Sequence, residues 1–148
     1  MSLQEKLGQE IKSAMLAKDA NRLGALRMLK SSIGYILIER KVESLSDADF
    51  IVITQKEIKK RRDSIEQYEK GGRPELAAKE KEEIGVLEGF LPQPLSNEEL
   101  EKMIRDAIAE TGATSKKDMG PVIKSVQAKA AGRAEGKTIS QIVGRLLP

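Results

Sequence analysis

The stretch FLPQPLS, residues 90–96, decides how the chain is divided. Pro92 and Pro94 cannot continue a helix, because proline lacks a backbone N–H and its ring clashes with the preceding turn. The apolar residues around the prolines indicate a packed hinge rather than a loose tether. The stretch therefore predicts an N-terminal helical domain over residues 1–92 and a C-terminal domain over residues 93–148.

The sequence on both sides of this boundary predicts helices. Apolar residues recur at intervals of three and four, and no segment shows the alternation of a half-buried strand. Ser2, Ser46 and Ser96 are each followed three residues later by an acidic residue, which is typical of a helix start. Gly71 and Gly112 mark helix ends. The predicted fold is all-α, with four helices in the N-terminal part and three in the C-terminal part.

Two finer expectations concern the N-terminal helices. The second helix is expected to run to about Glu43, with Gly24 and Gly34 inside it allowing close approach of another helix. Each glycine costs about 1 kcal/mol relative to alanine in a helix, so a packing role is the better explanation. Four methionines fall on apolar stripes and are expected in the core: Met15, Met28, Met103 and Met119.

The composition of the 148-residue chain excludes several classes of function. Without histidine or cysteine there is no Ser-His-Asp triad, thiol nucleophile or cysteine-based metal site. Aromatics make up 3% of the chain, too few for a base-stacking platform. We expect no catalytic residue, cofactor or metal, and an independent enzyme is disfavoured, although Ser/Lys chemistry stays open.

The chain carries no targeting or membrane signal. No apolar run approaches the roughly 20 residues of a membrane-spanning helix, and no leader pattern opens the sequence. We therefore expect a cytoplasmic protein without membrane contact.

Positive charge is concentrated at the C-terminal end. The formal net charge of the chain is +3, but residues 111–148 alone carry +5. The cations of this segment are Lys116, Lys117, Lys124, Lys129, Arg133, Lys137 and Arg145. Such asymmetry favours an anionic partner for the C-terminal domain, with an ordinary basic surface as the alternative.

The segment GRAEGKT, residues 132–138, looks like a phosphate-binding loop but has the wrong spacing. Only three residues separate Gly132 from Gly136, where a P-loop needs four and a preceding strand. The segment is better explained as a turn in which Gly132 takes the left-handed conformation and Thr138 caps the seventh helix. A turn of this kind, with Arg133 and Lys137 beside a helix N-terminus, can still bind phosphate.

A second charged segment, KEIKKRRDSIEQYEKGGR, covers residues 56–73. Its lysines and arginines alternate with acidic residues at helical spacing, and such pairs stabilise a helix by a few tenths of a kcal/mol. We interpret it as a solvated helix face rather than an RNA-binding helix. The acidic run EKEEIGVLE, residues 80–88, is likewise interpreted as an ordinary helix surface.

Several motifs in a fixed order carry a family resemblance. They are LxxLxxEIKxAMxAKD, RLxxLRMLKSSI, KEIKKRRDSIEQYEKGGRPELA, LEGFLPQPLSxEEL, ETGATSKKDMGPVI and GRAEGKxISQIV. With them the chain resembles the YqeY family over nearly its whole length. That family is similar to the C-terminal tail of the B subunit of aspartyl/glutamyl-tRNA amidotransferase, and the resemblance implies two helical domains.

The resemblance also implies an RNA-facing surface. In the amidotransferase the tail helps to hold tRNA, so KDMG, residues 117–120, and GRAEGK, residues 132–137, correspond to RNA-facing positions. Pro121 departs from the family pattern, where an ordinary residue, often lysine, is usual. With the neighbouring cations, the candidate nucleic-acid-binding residues are Lys116, Lys117, Gly120, Lys124, Gly132, Arg133, Gly136 and Lys137.

Two functions from different classes follow. The first is a non-catalytic tRNA-binding accessory protein related to glutamine-dependent tRNA amidotransferase. The alternative is a protein-interaction module that docks onto an aminoacyl-tRNA synthetase or an amidotransferase without binding RNA. A carbon–nitrogen ligase activity would be inherited from the larger enzyme, since no catalytic site is evident in this sequence.

Overall fold

The segments with three-and-four apolar spacing form α-helices in a computed structural model that describes all 148 residues. Seven α-helices and one short 3-10 turn follow one another without a strand, so the all-α prediction is confirmed. In chain order they are α1 (Leu3–Leu16), α2 (Ala20–Arg40), α3 (Asp47–Lys70), α4 (Pro74–Glu88), α5 (Asn97–Thr111), the 3-10 turn (Lys116–Asp118), α6 (Met119–Ala130) and α7 (Gly136–Leu146).

The helix caps predicted at three serines are present. The hydroxyls of Ser2, Ser46 and Ser96 each accept a hydrogen bond from the backbone N–H three residues later, at 3.1, 3.2 and 3.1 Å respectively. Gly112 ends α5 in the left-handed conformation, with a φ of 69°. These contacts satisfy backbone groups that have no partner inside the helix, which is why short local patterns fix the helix ends.

The second helix ends earlier than the expected Glu43. It stops at Arg40, and Lys41 takes the left-handed conformation with a φ of 56°. The chain then turns inward because Leu45 is buried in the core and its N–H donates to Gln4 Oε1 at 2.9 Å. Burial of this leucine therefore outweighs the helical tendency of the residues before it.

The chain divides into two compact units, Met1–Leu91 and Pro92–Pro148. Buried residues from all four N-terminal helices form the core of the first unit, where Phe50 and Phe90 pack with ring centroids 5.7 Å apart. The second unit has its own core from α5, α6 and α7, with Leu147 after them. Its buried members are Leu100, Ile104, Ala107, Val122, Val126, Ile139, Val143 and Leu147.

The expected burial of the methionines is only half right. Met103 and Met119 pack against the core of the second unit. Met15 and Met28 are exposed, so the prediction is wrong for them. Apolar residues surround much of α2, and the first unit covers only one side of it. The predicted close helix approach at the glycines of α2 is also wrong within this chain, since a Cβ there would have nothing within 4 Å.

Candidate nucleic-acid interface

The first of the two candidate motifs lies at the start of α6. Lys116 and Lys117 occupy the 3-10 turn and are exposed. Asp118 Oδ2 accepts hydrogen bonds from the backbone N–H groups of Thr114 and Ser115, at 3.0 and 3.4 Å. Ser115 followed three residues later by Asp118 is the pattern of a helix start. The structure inserts the 3-10 turn first, so that both lysines precede the α-helix.

One side of α6 is exposed and carries a lysine. Gly120, Lys124 and Gln127 are spaced by four and three residues and therefore lie on the same side of the helix, which we call the α6 face. Val122 and Val126 are buried on the opposite side. Pro121 lies at the third position of the helix, where a backbone N–H has no intrahelical acceptor, so it does not interrupt α6.

The second motif lies at the other end of α6, where Gly132 has a positive φ as expected but neither helix is capped by the expected residue. Ala131, rather than a glycine, is the left-handed residue that ends α6, with a φ of 48°, and Gly132 follows with a φ of 86°. Helix α7 begins at Gly136, so Thr138 lies inside the helix instead of capping it. Glu135 is the N-cap of α7 and makes no side-chain cap hydrogen bond.

Gly136, the first residue of α7, lies close to the side chain of Gln127 on α6. A Cβ at this position would lie 3.2 Å from Gln127 Nε2, so the end of that exposed side chain would have to shift slightly. The N-terminus of α7 thus sits directly beside the α6 face. The neighbouring Lys137 is exposed there, in the first turn of α7. Gln127 is a member of this surface that the sequence analysis missed, because nothing in the sequence links it to Gly136.

Arg133 has a structural role in the loop between α6 and α7. Its Nε donates to the backbone oxygen of Gln93 at 2.9 Å, and its own backbone oxygen accepts from Leu95 N–H at 2.9 Å. These two bonds fasten residues 93–95 to the loop. Arg133 therefore has a structural role in addition to its charge. Its replacement would disturb the loop as well as the binding of any ligand.

The two motifs do not form one pocket. They lie at opposite ends of α6, which has 12 residues and hence a length of about 18 Å. Lys117 is at one end, Lys124 is between them, and Lys137 is at the other end. The structure thus supplies an extended surface along one helix rather than a closed phosphate cradle.

The lysines of this surface have no acidic partner, unlike Lys129 and Arg145 of the same unit. Lys116, Lys117, Lys124 and Lys137 form no ion pair. In contrast, Lys129 Nζ lies 2.5 Å from Glu110 Oε2, and Arg145 Nη2 lies 3.1 Å from Glu101 Oε2. Unpaired cations along one surface raise the local positive potential, which attracts a polyanion.

Glu101 shows the effect of pairing. A hydrogen bond from Arg105 and the charge of Arg145 together lower the pKa of the Glu101 carboxyl below its usual value. Because this carboxylate touches one arginine of α5 and one of α7, its single negative charge offsets one of their two positive charges. The four lysines Lys116, Lys117, Lys124 and Lys137 have no such partner.

The charged segment of α3 contains ion pairs of the expected kind. Glu66 pairs with Lys70 at 3.0 Å, and Glu57 lies 3.8 Å from Lys60. Arg61 is the exception, since it is buried and contacts Glu80 and Glu83 of α4. The sequence did not predict a buried ion pair in either charged segment. This pair forms only because α3 packs on α4, which no local pattern indicates.

No helix of the protein combines the length and the apolar character needed to cross a membrane.

Comparison with known proteins assigns the chain to a family. It matches the model described as "Yqey-like protein" over residues 4–147. It is 31% identical over 120 residues to "Altered inheritance of mitochondria protein 41, mitochondrial" of Vanderwaltozyma polyspora, covering 76% of this chain and 64% of that protein. A protein of the same name from Pyrenophora tritici-repentis is 26% identical over 147 residues, covering 94% and 80%. An uncharacterised protein of Schizosaccharomyces pombe is 32% identical over 96 residues, covering 65% and 77%.

These relatives correct one expectation. The chain spans less than two thirds of the length of the Vanderwaltozyma polyspora protein. The cytoplasmic location expected from the sequence is wrong by comparison, because relatives in several fungi are named as mitochondrial proteins. That expectation rested on the absence of a leader pattern, which by itself does not identify a compartment.

The match over residues 4–147 shows that the chain belongs to the YqeY-like family.

Proposed function

We propose that the protein is a non-catalytic accessory protein whose C-terminal unit binds tRNA through its phosphates. The observation that carries this proposal is a set of exposed lysines without ion pairs around α6: Lys117 just before the helix, Lys124 within it and Lys137 in the first turn of α7. The resemblance of the chain to the tRNA-holding tail of an amidotransferase subunit supports tRNA as the ligand.

The mode of binding follows from what the C-terminal unit contains. Its cations contact phosphates, and the N–H groups at the start of α7 add a favourable dipole for an anion. All four aromatic residues of the chain lie in the N-terminal unit: Tyr35, Phe50, Tyr68 and Phe90. Without an aromatic ring in residues 92–148, unpaired bases have no stacking partner there, so the unit recognises the shape and charge of a folded RNA.

Fluorescence anisotropy with labelled bulk tRNA tests the proposal. Neutralising three to four phosphates predicts a log–log salt slope of about −3 to −4 between about 50 and 200 mM salt. The variant Lys124→Glu/Lys137→Glu is expected to abolish most of this binding. It leaves Arg133 in place, so the hydrogen bonds of the loop are retained.

The matched control is Lys59→Glu/Lys79→Glu, which changes the net charge equally through two exposed lysines of the N-terminal unit. It is expected to bind tRNA nearly as well as the unmodified protein. Equal losses in the two double variants, or binding that does not respond to salt, would contradict the proposal. Complete absence of binding would favour the alternative, a protein-interaction module.

A further inference from the structure

The outer side of α2 exposes a row of apolar side chains. Met28, Tyr35 and Ile38 have exposed fractions of 56%, 75% and 77%, and Val42 follows just beyond the helix end. The opposite side of α2 is buried in the core of the N-terminal unit through Leu26 and other residues. A helix with apolar side chains on two opposite sides is normally covered on both of them. The outer side of α2 is therefore an unfilled packing surface.

The spacing of this surface matches that of a helix partner. Gly24, Met28, Ser31, Tyr35 and Ile38 follow one another at intervals of four, three, four and three residues. We call these five residues and Val42 the α2 seam. This is the heptad spacing with which two helices pack side by side. From Gly24 to Ile38 the seam is about 21 Å long, enough for three to four turns of a second helix.

Open space beside the seam can receive side chains of such a helix. A Cβ at Gly24 or Gly34 would have nothing within 4 Å. Gly34, one turn before Ile38, also lines a cavity of about 210 Å³ between α1 and α2, together with Gly8 and Leu37. Small residues next to large exposed ones provide the holes that accept the side chains of a partner helix.

Charge around the seam defines the partner further. Arg27, Lys30 and Lys41 are exposed near one edge of the seam and form no ion pair. The other cations of α2 are neutralised, since Arg22 pairs with Glu10 and Arg40 pairs with Asp49. The single acidic residue of α2 is Glu39. The edge is thus basic, and it complements acidic residues beside the apolar stripe of a partner.

We propose that the α2 seam docks an amphipathic helix of another protein, with an apolar stripe flanked by acidic residues. The surface lies in the N-terminal unit and does not depend on RNA binding by the C-terminal unit.

A second copy of this chain fits the α2 seam less well than an acidic helix. If two copies packed their α2 helices antiparallel, with Met28 of one beside Ile38 of the other, Arg27 would also lie close to Lys41 of the other copy. The twofold symmetry repeats this contact, so like charges would repel each other at two places.

A designed peptide tests this proposal on the full chain. The probe is a labelled three-heptad helix with leucine at positions a and d and glutamate at e and g, held at low concentration so that it does not self-associate. Anisotropy is measured while the protein is titrated in excess. Its matched probe carries lysine at e and g with the same leucine stripe.

The protein is expected to bind the acidic peptide at least about tenfold more tightly than the lysine peptide. Tyr35→Asp and Ile38→Asp are each expected to weaken binding of the acidic peptide by about tenfold or more. The control is Leu16→Asp, which introduces the same charge at a leucine that is 86% exposed and lies outside the seam. It should leave the affinity unchanged. Circular dichroism verifies that each variant is folded.

Several results would overturn the proposal. They are failure to bind the acidic peptide, equal binding of both peptides, and equal effects of Leu16→Asp and the seam variants. Two further results identify a different occupant. Dimerisation in analytical ultracentrifugation that is lost in Ile38→Asp would show that a second copy covers the seam. Binding to vesicles of neutral and anionic phospholipid that is lost in the same variant would show a membrane surface.

Discussion

Arg61 is a charged side chain inside the helical core of the N-terminal unit. It is 5% exposed, contacts Glu83, and lies 3.0 Å from Glu80 through Nη1. Its Nη2 is also 3.4 Å from the sulfur of Met28, on the α2 seam. Arg61 therefore links three helices, and its contacts offset part of the cost of burying a charge, while its buried Nε has no hydrogen-bond partner.

We expect Arg61→Ala to lower the free energy of unfolding by about 3–5 kcal/mol, because it leaves Glu83 buried without its cation. Arg61→Met fills the space but also removes the charge, so pairing it with Glu83→Gln should recover much of the loss. Urea denaturation of the three proteins measures these differences. A loss below about 1 kcal/mol for Arg61→Ala would show that solvent already neutralises the pair.

Ala131 holds a backbone conformation that suits glycine better. Its φ of 48° lies in the left-handed region, which costs a residue with a Cβ roughly 1–2 kcal/mol. Ala131→Gly is therefore expected to raise the stability of the C-terminal unit by up to about 1 kcal/mol, since the unfolded glycine chain gains entropy that offsets part of the relief.

The control for this substitution is Ala128→Gly, at an exposed position inside α6. It should lower stability by about 1 kcal/mol, the usual cost of glycine in a helix. Thermal unfolding followed by circular dichroism compares both variants. Opposite signs are expected, and equal destabilisation would show that Ala131 does not occupy the left-handed conformation in solution.

At the scale of the helix, the start of α5 is fixed by a reciprocal pair of hydrogen bonds. Ser96 Oγ accepts from Glu99 N–H and Ser96 N–H donates to Glu99 Oε2, both at 3.1 Å. Ser96→Ala is expected to destabilise the C-terminal unit by about 1 kcal/mol because both bonds depend on this geometry. The control Ser125→Ala, inside α6, should be neutral or slightly stabilising, and chemical denaturation distinguishes the two.

Glu101 connects α5 to α7 and gives the C-terminal unit a dependence on pH. Arg105 and Arg145 lower its pKa in the folded protein below 4.5. As the pH falls, Glu101 therefore becomes protonated in the unfolded chain before it does in the folded protein. The stabilisation by the ionised carboxylate is fully present above the pKa of the unfolded chain, and it is lost as the pH falls through the pKa of the folded protein. NMR titration should give the Glu101 carboxyl a lower pKa in the unmodified protein than in Arg105→Gln. Identical values in the two proteins would contradict this account.

Helix α2 shows how an element can be predicted while its environment is not. Its apolar residues predicted a helix, and a helix is present. The same residues suggested that Met28 is buried, yet the N-terminal unit covers only the side that contains Leu26, Leu29 and Ile33. Periodicity identifies the faces of a helix, but it does not state whether the partner of each face lies in the same chain.

At the scale of the whole molecule, the division at Pro92 separates two cores that share no buried residue. We propose that the C-terminal unit folds by itself. Residues 92–148 expressed alone are expected to give a cooperative thermal transition, although a domain of this size is near the lower limit for independent stability. A gradual, non-cooperative loss of helix would contradict the proposal, and Ile104→Ala should lower the midpoint of a genuine transition.

The sequence supplied candidate residues for this surface but not their arrangement in space. Lys117 and Lys137 were identified from charge and family resemblance, and both are exposed. Their separation along α6 depends on how α7 returns across α6, which no local pattern encodes. The roles of Gln127 and Arg133 were missed for the same reason, because each contacts a residue far away in the sequence.

The sequence by itself determined the helical class, the positions of most helix starts and the excess of positive charge near the C-terminus. These features depend on interactions within three or four residues, such as the cap at Ser96, or on composition alone. Only the tertiary structure decided that Arg61 is buried, that α2 keeps an apolar side uncovered and that the start of α7 lies beside α6. Those outcomes depend on which helices pack together, since burial and charge pairing are set by neighbours that are distant in the chain.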